Sequence, residues 1–153
     1  MFARRRILSW VGCLYPARMQ STSPFIDRIV REEDWDVRYR MLVHLGRVSI
    51  PLSQPMDALI EMTKETDKQI RDAVIFALGC QDSDICREEL RKWVTLPDHK
   101  EHRDEILQAQ AALDKIGREE DIPLIERNIR LSSRHIRESA RFVSAHLRQM
   151  YVK

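Results

Sequence analysis

The chain has 153 residues, of which 33% are charged and 43% hydrophobic, a net charge of +2, and only four glycines and six prolines. This length fits one domain with a sizeable core, and the scarcity of glycine and proline argues against a strand-and-turn architecture. No apolar run approaches the roughly 20 residues of a membrane-spanning helix. Three cysteines without C-x-x-C spacing argue against a disulfide framework or a zinc site.

The charge is distributed in three blocks. Residues 1–24 carry four arginines and no acid, and residues 25–126 hold 15 Lys/Arg against 23 Asp/Glu. Residues 127–153 hold seven basic residues and a single acid, Glu138. The ends are therefore basic and the middle is acidic, which indicates that the ends and the middle face different partners.

Residues 1–24 form the first segment. They are rich in Arg and Ser, and Ile7, Trp10 and Leu14 interleave with the arginines, which favours a basic amphipathic helix. This composition is typical of a mitochondrial presequence. The alternative is an ordinary N-terminal helix that packs the same apolar side on the rest of the chain. The predicted organisation is thus residues 1–24 as presequence or N-terminal helix and residues 25–153 as a helical domain, in the mitochondrial matrix or, alternatively, the cytoplasm.

Two similar stretches follow at an offset of 33 residues. Each has an aspartate at its start, an arginine one turn later and a glycine at its end: Asp34, Arg38 and Gly46, then Asp67, Arg71 and Gly79. The aspartate is a good helix N-cap, and the apolar residues between have helical spacing. We expect helices over 34–46 and 67–79, with Gly79 ending its helix in the left-handed conformation.

The remaining segments predict further helices with polar connections. Ser23 caps a helix over 24–33, Pro55 opens one to Lys64, and Ser83 caps one to about Val94. Others cover 105–116, a short helix capped by Asp121, and the C-terminus from Ser132 or Ser133. In the helix after Ser83 the predicted buried residues are Ile85, Leu90 and Trp93; in the last helix they are Ile136, Ala140, Val143, Leu147 and Met150.

A helical pair repeated at about this length predicts a solenoid, in which each unit buries its face against its neighbours. The D-x-x-[VI]-R…L-G pattern and the stretch Ile116–Ile125 resemble HEAT repeats, with the short type of phycobilisome-lyase-like proteins as the nearest subtype. The resemblance covers about residues 25–150. It implies an all-α solenoid of three to four antiparallel helix pairs, with a register that slips in the third pair because Gly117 follows Gly79 by 38 residues.

The resemblance also implies roles for particular side chains. Arg38, Arg71 and Arg137, at the repeated position, would be structural and bond to carboxylates or carbonyls of adjacent repeats. The second helices would line a concave face offered to a partner. Its exposed residues would be Asp57, Glu61, Lys64, Glu88, Lys92, Arg127 and Arg130.

The last helix is two-sided, with an arginine row opposite its apolar face. This row, which would bind an acidic protein surface or RNA phosphates, consists of Arg134, Arg137, Arg141 and Arg148. Arg137 cannot be both fully structural and fully exposed. The alternative is a solvated cap at the end of the array, which repeat proteins need.

The motifs of known chemistry are weak in this sequence. Asp98–His102 has a histidine pair, but Pro97 places it in a loop without a third ligand. No Gly-rich phosphate loop and no nucleophile motif is present. We therefore predict no enzyme, no metal and no cofactor. The chain is predicted to be a protein-binding scaffold or adaptor in a multi-subunit complex, with RNA binding and a lyase-type accessory role as alternatives.

Overall fold

The computed structural model describes residues 23–47, 57–97 and 100–152. The prediction of a presequence concerns residues that lie almost wholly outside this range. So do the predicted helix start at Pro55 and the pair Asp98 and His99. Every regular element of the described residues is helical, which confirms the all-α class. None of the described helices is long and apolar enough to cross a membrane.

The chain divides into two compact units, residues 1–81 and 82–153. In the first unit the described helices are α1 (Ser23–Arg31), α2 (Trp35–Leu45), α3 (Asp57–Glu61) and α4 (Lys68–Leu78), with a 3-10 turn over Met62–Lys64. Helix α1 contacts α2 and α3, and α4 contacts α2 and α3. The core between them is formed by Ile29, Met41, Leu42, Leu45, Leu59, Ile70, Val74, Ile75 and Leu78.

The second unit holds the longer helices. They are α5 (Asp84–Val94), α6 (Arg103–Ile116), α7 (Ile122–Arg127) and α8 (Arg134–Tyr151), with 3-10 turns over Glu119–Asp121 and Asn128–Arg130. Helix α6 packs against α5 and α8, and α7 packs against α8 and α5. Its core contains Leu90, Val94, Ile106, Ala109, Leu113, Ile125, Ile136, Ala140 and Leu147.

The two predicted repeat helices begin as their sequences indicate. The Asp34 carboxylate accepts from the backbone N–H groups of Asp36 and Val37, and the Asp67 carboxylate accepts from that of Ile70. Each bond satisfies an N–H that has no partner within the helix. Ser83 caps α5 in the same way, by accepting from the N–H of Cys86.

The predicted left-handed glycine is wrong. Gly79 has φ −66° and ψ −6°, and its repeat partner Gly46 has φ −68° and ψ −14°, so both are right-handed. At Gly46 the reason for glycine is close packing, because a Cβ atom there would lie 2.5 Å from Cε1 of Phe76. Gly117 is similar, since a Cβ atom would overlap the carbonyl of Leu113.

Two residues predicted to be buried are exposed. Ile85 is 51% exposed, because α5 turns Cys86, Leu90 and Val94, at four-residue steps, toward α6 and α7. Met150 is 42% exposed near the end of α8. The buried residues of α8 end at Leu147, one turn before Met150.

Candidate partner-binding surface

Arg71 and Arg137 make the same bonds two repeat periods apart. Nη1 of Arg71 donates to the carbonyls of Glu65 (2.7 Å) and Thr66 (2.8 Å). Nη1 of Arg137 donates to the carbonyls of Leu131 (2.9 Å) and Ser132 (2.6 Å). The acceptors are therefore also 66 residues apart. Each arginine bonds the start of its helix to the turn just before it, so its role is structural, but its acceptors lie in that turn and not in an adjacent repeat as predicted.

Arg38, the third arginine at this position, has a different partner. Its Nη2 bonds to the Glu65 carboxylate at 2.5 Å, which links α2 to the turn before α4. The carboxylate thus joins two helical pairs of the first unit, while the Glu65 carbonyl accepts from Arg71.

A second network, in the other unit, was missed by the sequence analysis. The Arg87 side chain is 2% exposed and bonds to the carboxylates of Asp82 and Asp84 and to the carbonyl of Ile116. Burial lowers the pKa of Arg87, but the bonds to Asp84 and Asp82 outweigh it and raise the pKa above its ordinary value. The same bond lowers the pKa of Asp84. This network joins the start of α5 to the end of α6.

Arg91, one turn later on α5, bonds to the turn that precedes α7. Its Nε lies 2.5 Å from the fully buried Asp121, and its Nη2 lies 2.9 Å from Glu120. The bond to Asp121 is the main cause of a raised pKa at Arg91. Asp121 also accepts from the N–H of Arg118, so it caps the 3-10 turn and makes no cap bond to α7, which it was predicted to cap.

The residues predicted for a concave partner face are all exposed where the structure describes them. Lys64 bonds to Glu61 at 2.7 Å, and Lys92 bonds to the largely buried Glu89 at 2.9 Å, which raises the pKa of Lys92. Asp57, Glu61 and Lys64 lie in the first unit. The other four, Glu88, Lys92, Arg127 and Arg130, lie in the second.

The arginines of α8 differ in their partners. Arg134 bonds to Glu138 one turn along (2.7 Å), and Arg148 bonds to Glu126 of α7 (2.8 Å). The hydrogen bond to Glu138 raises the pKa of Arg134 and lowers that of Glu138. The Arg137 guanidinium donates to the carbonyls of Leu131 and Ser132. Arg141 is exposed; its carbonyl accepts from the Ser144 hydroxyl, but within the described residues its guanidinium has no ion pair or hydrogen bond.

An exposed phenylalanine lies beside Arg141. Phe142 is 68% exposed, the highest fraction of any large hydrophobic residue in the described ranges. Its ring faces that of His146, with centroids 6.3 Å apart, and Nδ1 of His146 lies 2.7 Å from Oδ1 of Asp114 on α6. The sequence analysis did not single out Phe142. Its position was nevertheless a signal, because helical spacing places it on the polar side of α8, away from the apolar residues Ile136, Ala140, Val143 and Leu147.

The other chemical candidates gain no support from the geometry. No group of three or more metal-ligating side chains occurs in the ranges 23–47, 57–97 and 100–152. His102 lies at the edge of the Trp93 ring, and His135 is exposed. Comparison with models of known protein families and with curated proteins finds no match.

Proposed function

We propose that this chain is a non-catalytic adaptor, built from HEAT-type helical pairs in a solenoid, that binds protein partners within a larger complex. The observation that supports it best is the repeated bonding of Arg71 and Arg137. A structural bond that recurs with both acceptors at the same 66-residue offset is expected of an array that repeats one helical unit. Such arrays act mainly through their extended surfaces.

The use of charged side chains in the described residues is consistent with this proposal. Buried or half-buried arginines bond to carbonyls and carboxylates that end or begin helices, as at Arg71, Arg87, Arg91 and Arg137. In these positions they join one helix to the next. The charged side chains that remain on the surface would then orient a protein partner and speed its association more than they would raise its affinity.

The proposed setting is the mitochondrial matrix. The support is the composition of residues 1–24, which carry four arginines and no acid. A fluorescent fusion of the full chain should localise to mitochondria, and the same fusion without residues 1–24 should not. Equal localisation of the two would contradict this setting.

The adaptor function is tested by isolating the tagged full chain from its native source. We expect it to elute in a stoichiometric complex much larger than its own 18.1 kDa. Recovery as a partner-free monomer under gentle, low-salt extraction would contradict the proposal. Cross-linking before lysis guards against loss of a weak partner.

RNA binding is the second candidate. It is favoured by the exposed arginines Arg127, Arg130 and Arg141, which have no ion pair within the described part of the chain. It is weakened by the engagement of Arg134, Arg137 and Arg148. If the three exposed arginines contact phosphates, log K for single-stranded RNA should fall with log salt at a slope of about −2. Replacement of all three by Gln should abolish binding, and salt-insensitive binding would remove this candidate.

A further inference from the structure

We propose that the outer α8 face, defined as Glu138, Arg141, Phe142, Ala145 and Gln149, binds a short acidic segment of a partner protein. An apolar side chain of that segment would cover Phe142, and a carboxylate would bond to Arg141. This inference rests on the adaptor function and specifies the surface and the chemistry of its partner.

The outer α8 face is the side of the helix that points away from the second unit's core. The opposite side is buried against α6 and α7 through Ile136, Ala140, Val143 and Leu147. The residues of the outer face are all exposed, and Phe142 lies at its middle. An exposed aromatic side chain at the centre of a patch, with polar residues around it, is the arrangement found in binding hot spots.

The surroundings of Phe142 are fixed by bonds to other helices. Its neighbour His146 is bonded to Asp114 of α6 at 2.7 Å. Further along α8, the Tyr151 hydroxyl donates to the carbonyl of Gly117 at 3.1 Å. A partner would therefore meet a surface on a helix whose position is already set, which lowers the ordering cost of binding.

The charges around Phe142 select an acidic partner. Arg134, Arg141 and Arg148 follow one another at seven-residue steps along one side of the outer α8 face. Two of them already have carboxylate partners, and Arg141 has none in the described residues. An arginine that is next to an apolar anchor and can take a bidentate carboxylate favours an acidic ligand.

Other occupants fit less well. A second copy docked symmetrically through this face would bring the same α8, whose one acid, Glu138, is already bonded to Arg134. RNA would use several free cations and several stacking rings, whereas this face offers one free arginine and one exposed phenylalanine. An acidic protein segment with one or more apolar side chains uses both features at once.

The test uses the full chain and two synthetic helical peptides. The first is a fluorescein-labelled 14-residue peptide of Glu, Ala and Leu with Leu at positions 4, 8 and 11, and the second has Gln in place of every Glu. We expect fluorescence anisotropy to show at least about tenfold tighter binding of the Glu peptide. Amide NMR shifts on binding should be centred on residues 138–149. Equal binding of both peptides, or shifts elsewhere, would overturn the proposal.

Two variants and two matched controls locate the contact. Phe142→Ala should weaken binding of the Glu peptide about tenfold or more, and Arg141→Gln about three- to tenfold. Ile85→Ala, at another exposed apolar residue of the same unit, and Arg103→Gln, at an exposed arginine outside any proposed surface, should leave it unchanged. Because Phe142 and Arg141 are exposed, these variants should keep the wild-type circular dichroism. Equal losses in the controls would overturn the proposal.

Three further measurements separate this inference from its alternatives. Displacement of the Glu peptide by a 12-nucleotide poly(U) RNA at lower concentration than by unlabelled peptide would favour RNA and overturn it. Concentration-dependent dimerisation abolished by Phe142→Ala would instead assign the face to a second copy. If a native complex is recovered and survives Phe142→Ala and Arg141→Gln, the inference fails while the adaptor function stands.

Discussion

The ring of Phe76 occupies the space that a side chain at Gly46 would need. A Cβ atom at position 46 would lie 2.5 Å from Cε1 of Phe76 and 3.3 Å from Cα of Ala77. The end of α2 therefore approaches α4 closely. The Cys80 thiol, just after α4, also donates to the carbonyl of Gly46. Gly46 is thus a packing point between two helical pairs of the first unit.

Gly46→Ala should destabilise the protein. The right-handed φ of Gly46 can be adopted by any residue, so the backbone does not oppose alanine. The loss of stability comes from overlap of the new methyl group with the Phe76 ring. We expect the free energy of unfolding to fall by about 1–3 kcal/mol. Urea denaturation followed by circular dichroism measures it. In the double variant Gly46→Ala/Phe76→Leu the two effects should be less than additive, because the smaller side chain removes the overlap. Additive losses would show that the ring does not set the requirement for glycine.

Removal of either repeated arginine bond should have the same effect. Arg71→Met and Arg137→Met keep the apolar stem but leave two carbonyls without their donor, so each should lower the free energy of unfolding by about 1–3 kcal/mol. Arg130→Met, at an exposed arginine, should change it by less than about 0.5 kcal/mol. Thermal and urea unfolding of the three variants side by side provide the comparison. A harmless Arg137→Met would contradict its structural role.

The acid stability of the fold should depend on Asp84. The bond to Arg87 lowers the pKa of Asp84 below its ordinary 3.8. Since the folded-state pKa lies below the unfolded-state value, this group's stabilisation is present above about pH 3.8 and is lost as the pH falls through the folded-state pKa. The loss of stability between about pH 5 and 2 should be smaller in Asp84→Asn than in wild type.

A carboxylate of the same unit provides the control for this pH dependence. Glu119 is exposed and has no ion pair within the described residues. Glu119→Gln should therefore keep the wild-type pH profile of the free energy of unfolding. If Asp84→Asn and Glu119→Gln give identical profiles, the Arg87 bond does not contribute to acid stability.

Cys86 should be the slower of the two described cysteines to react. Burial raises the pKa of its thiol above 9.0, and the residue is fully buried, whereas Cys80 is half-buried. Because the thiolate is the nucleophile, iodoacetamide at pH 8 should label Cys80 first, and Cys86 only as the second unit opens. Peptide mapping by mass spectrometry separates the two rates. In 8 M urea they should converge, and a faster native rate at Cys86 would contradict its burial.

Helix boundaries were predictable because their signals are local. Asp34, Asp67 and Ser83 accept from N–H groups two or three residues away, so the residue type and its place before an apolar run suffice. The structural role of Arg71 was also predictable, since its acceptors lie five and six residues before it. These bonds involve one helix and the turn before it.

The buried face of α5 was not predictable in the same way. Arg87 is buried because it reaches the carbonyl of Ile116, 29 residues away, as well as two nearby aspartates. Helical spacing alone favoured Ile85 for that face. A prediction from hydrophobic spacing leaves an arginine out of the core. Arg87 can be buried because two carboxylates and a carbonyl bond to its guanidinium.

In the candidate site, too, ion pairs between residues close in sequence were predictable and those between different helices were not. The pair Arg134–Glu138 could be read from its i, i+4 spacing, but the pair Arg148–Glu126 spans two helices. Only the structure therefore distinguishes Arg141 from the other arginines of the row. The solenoid arrangement and the partner class are still proposals.

The arginine-to-carbonyl bonds also bear on how this chain tolerates changes in length. Residues 65–71 and 131–137 each have a fixed span between arginine and acceptor, so an inserted residue there would break a bond and shift the helix. The connection between α5 and α6 lies where the repeat lengthens from 33 to 38 residues. Epitope tags or cross-linkable residues should accordingly be placed between α5 and α6.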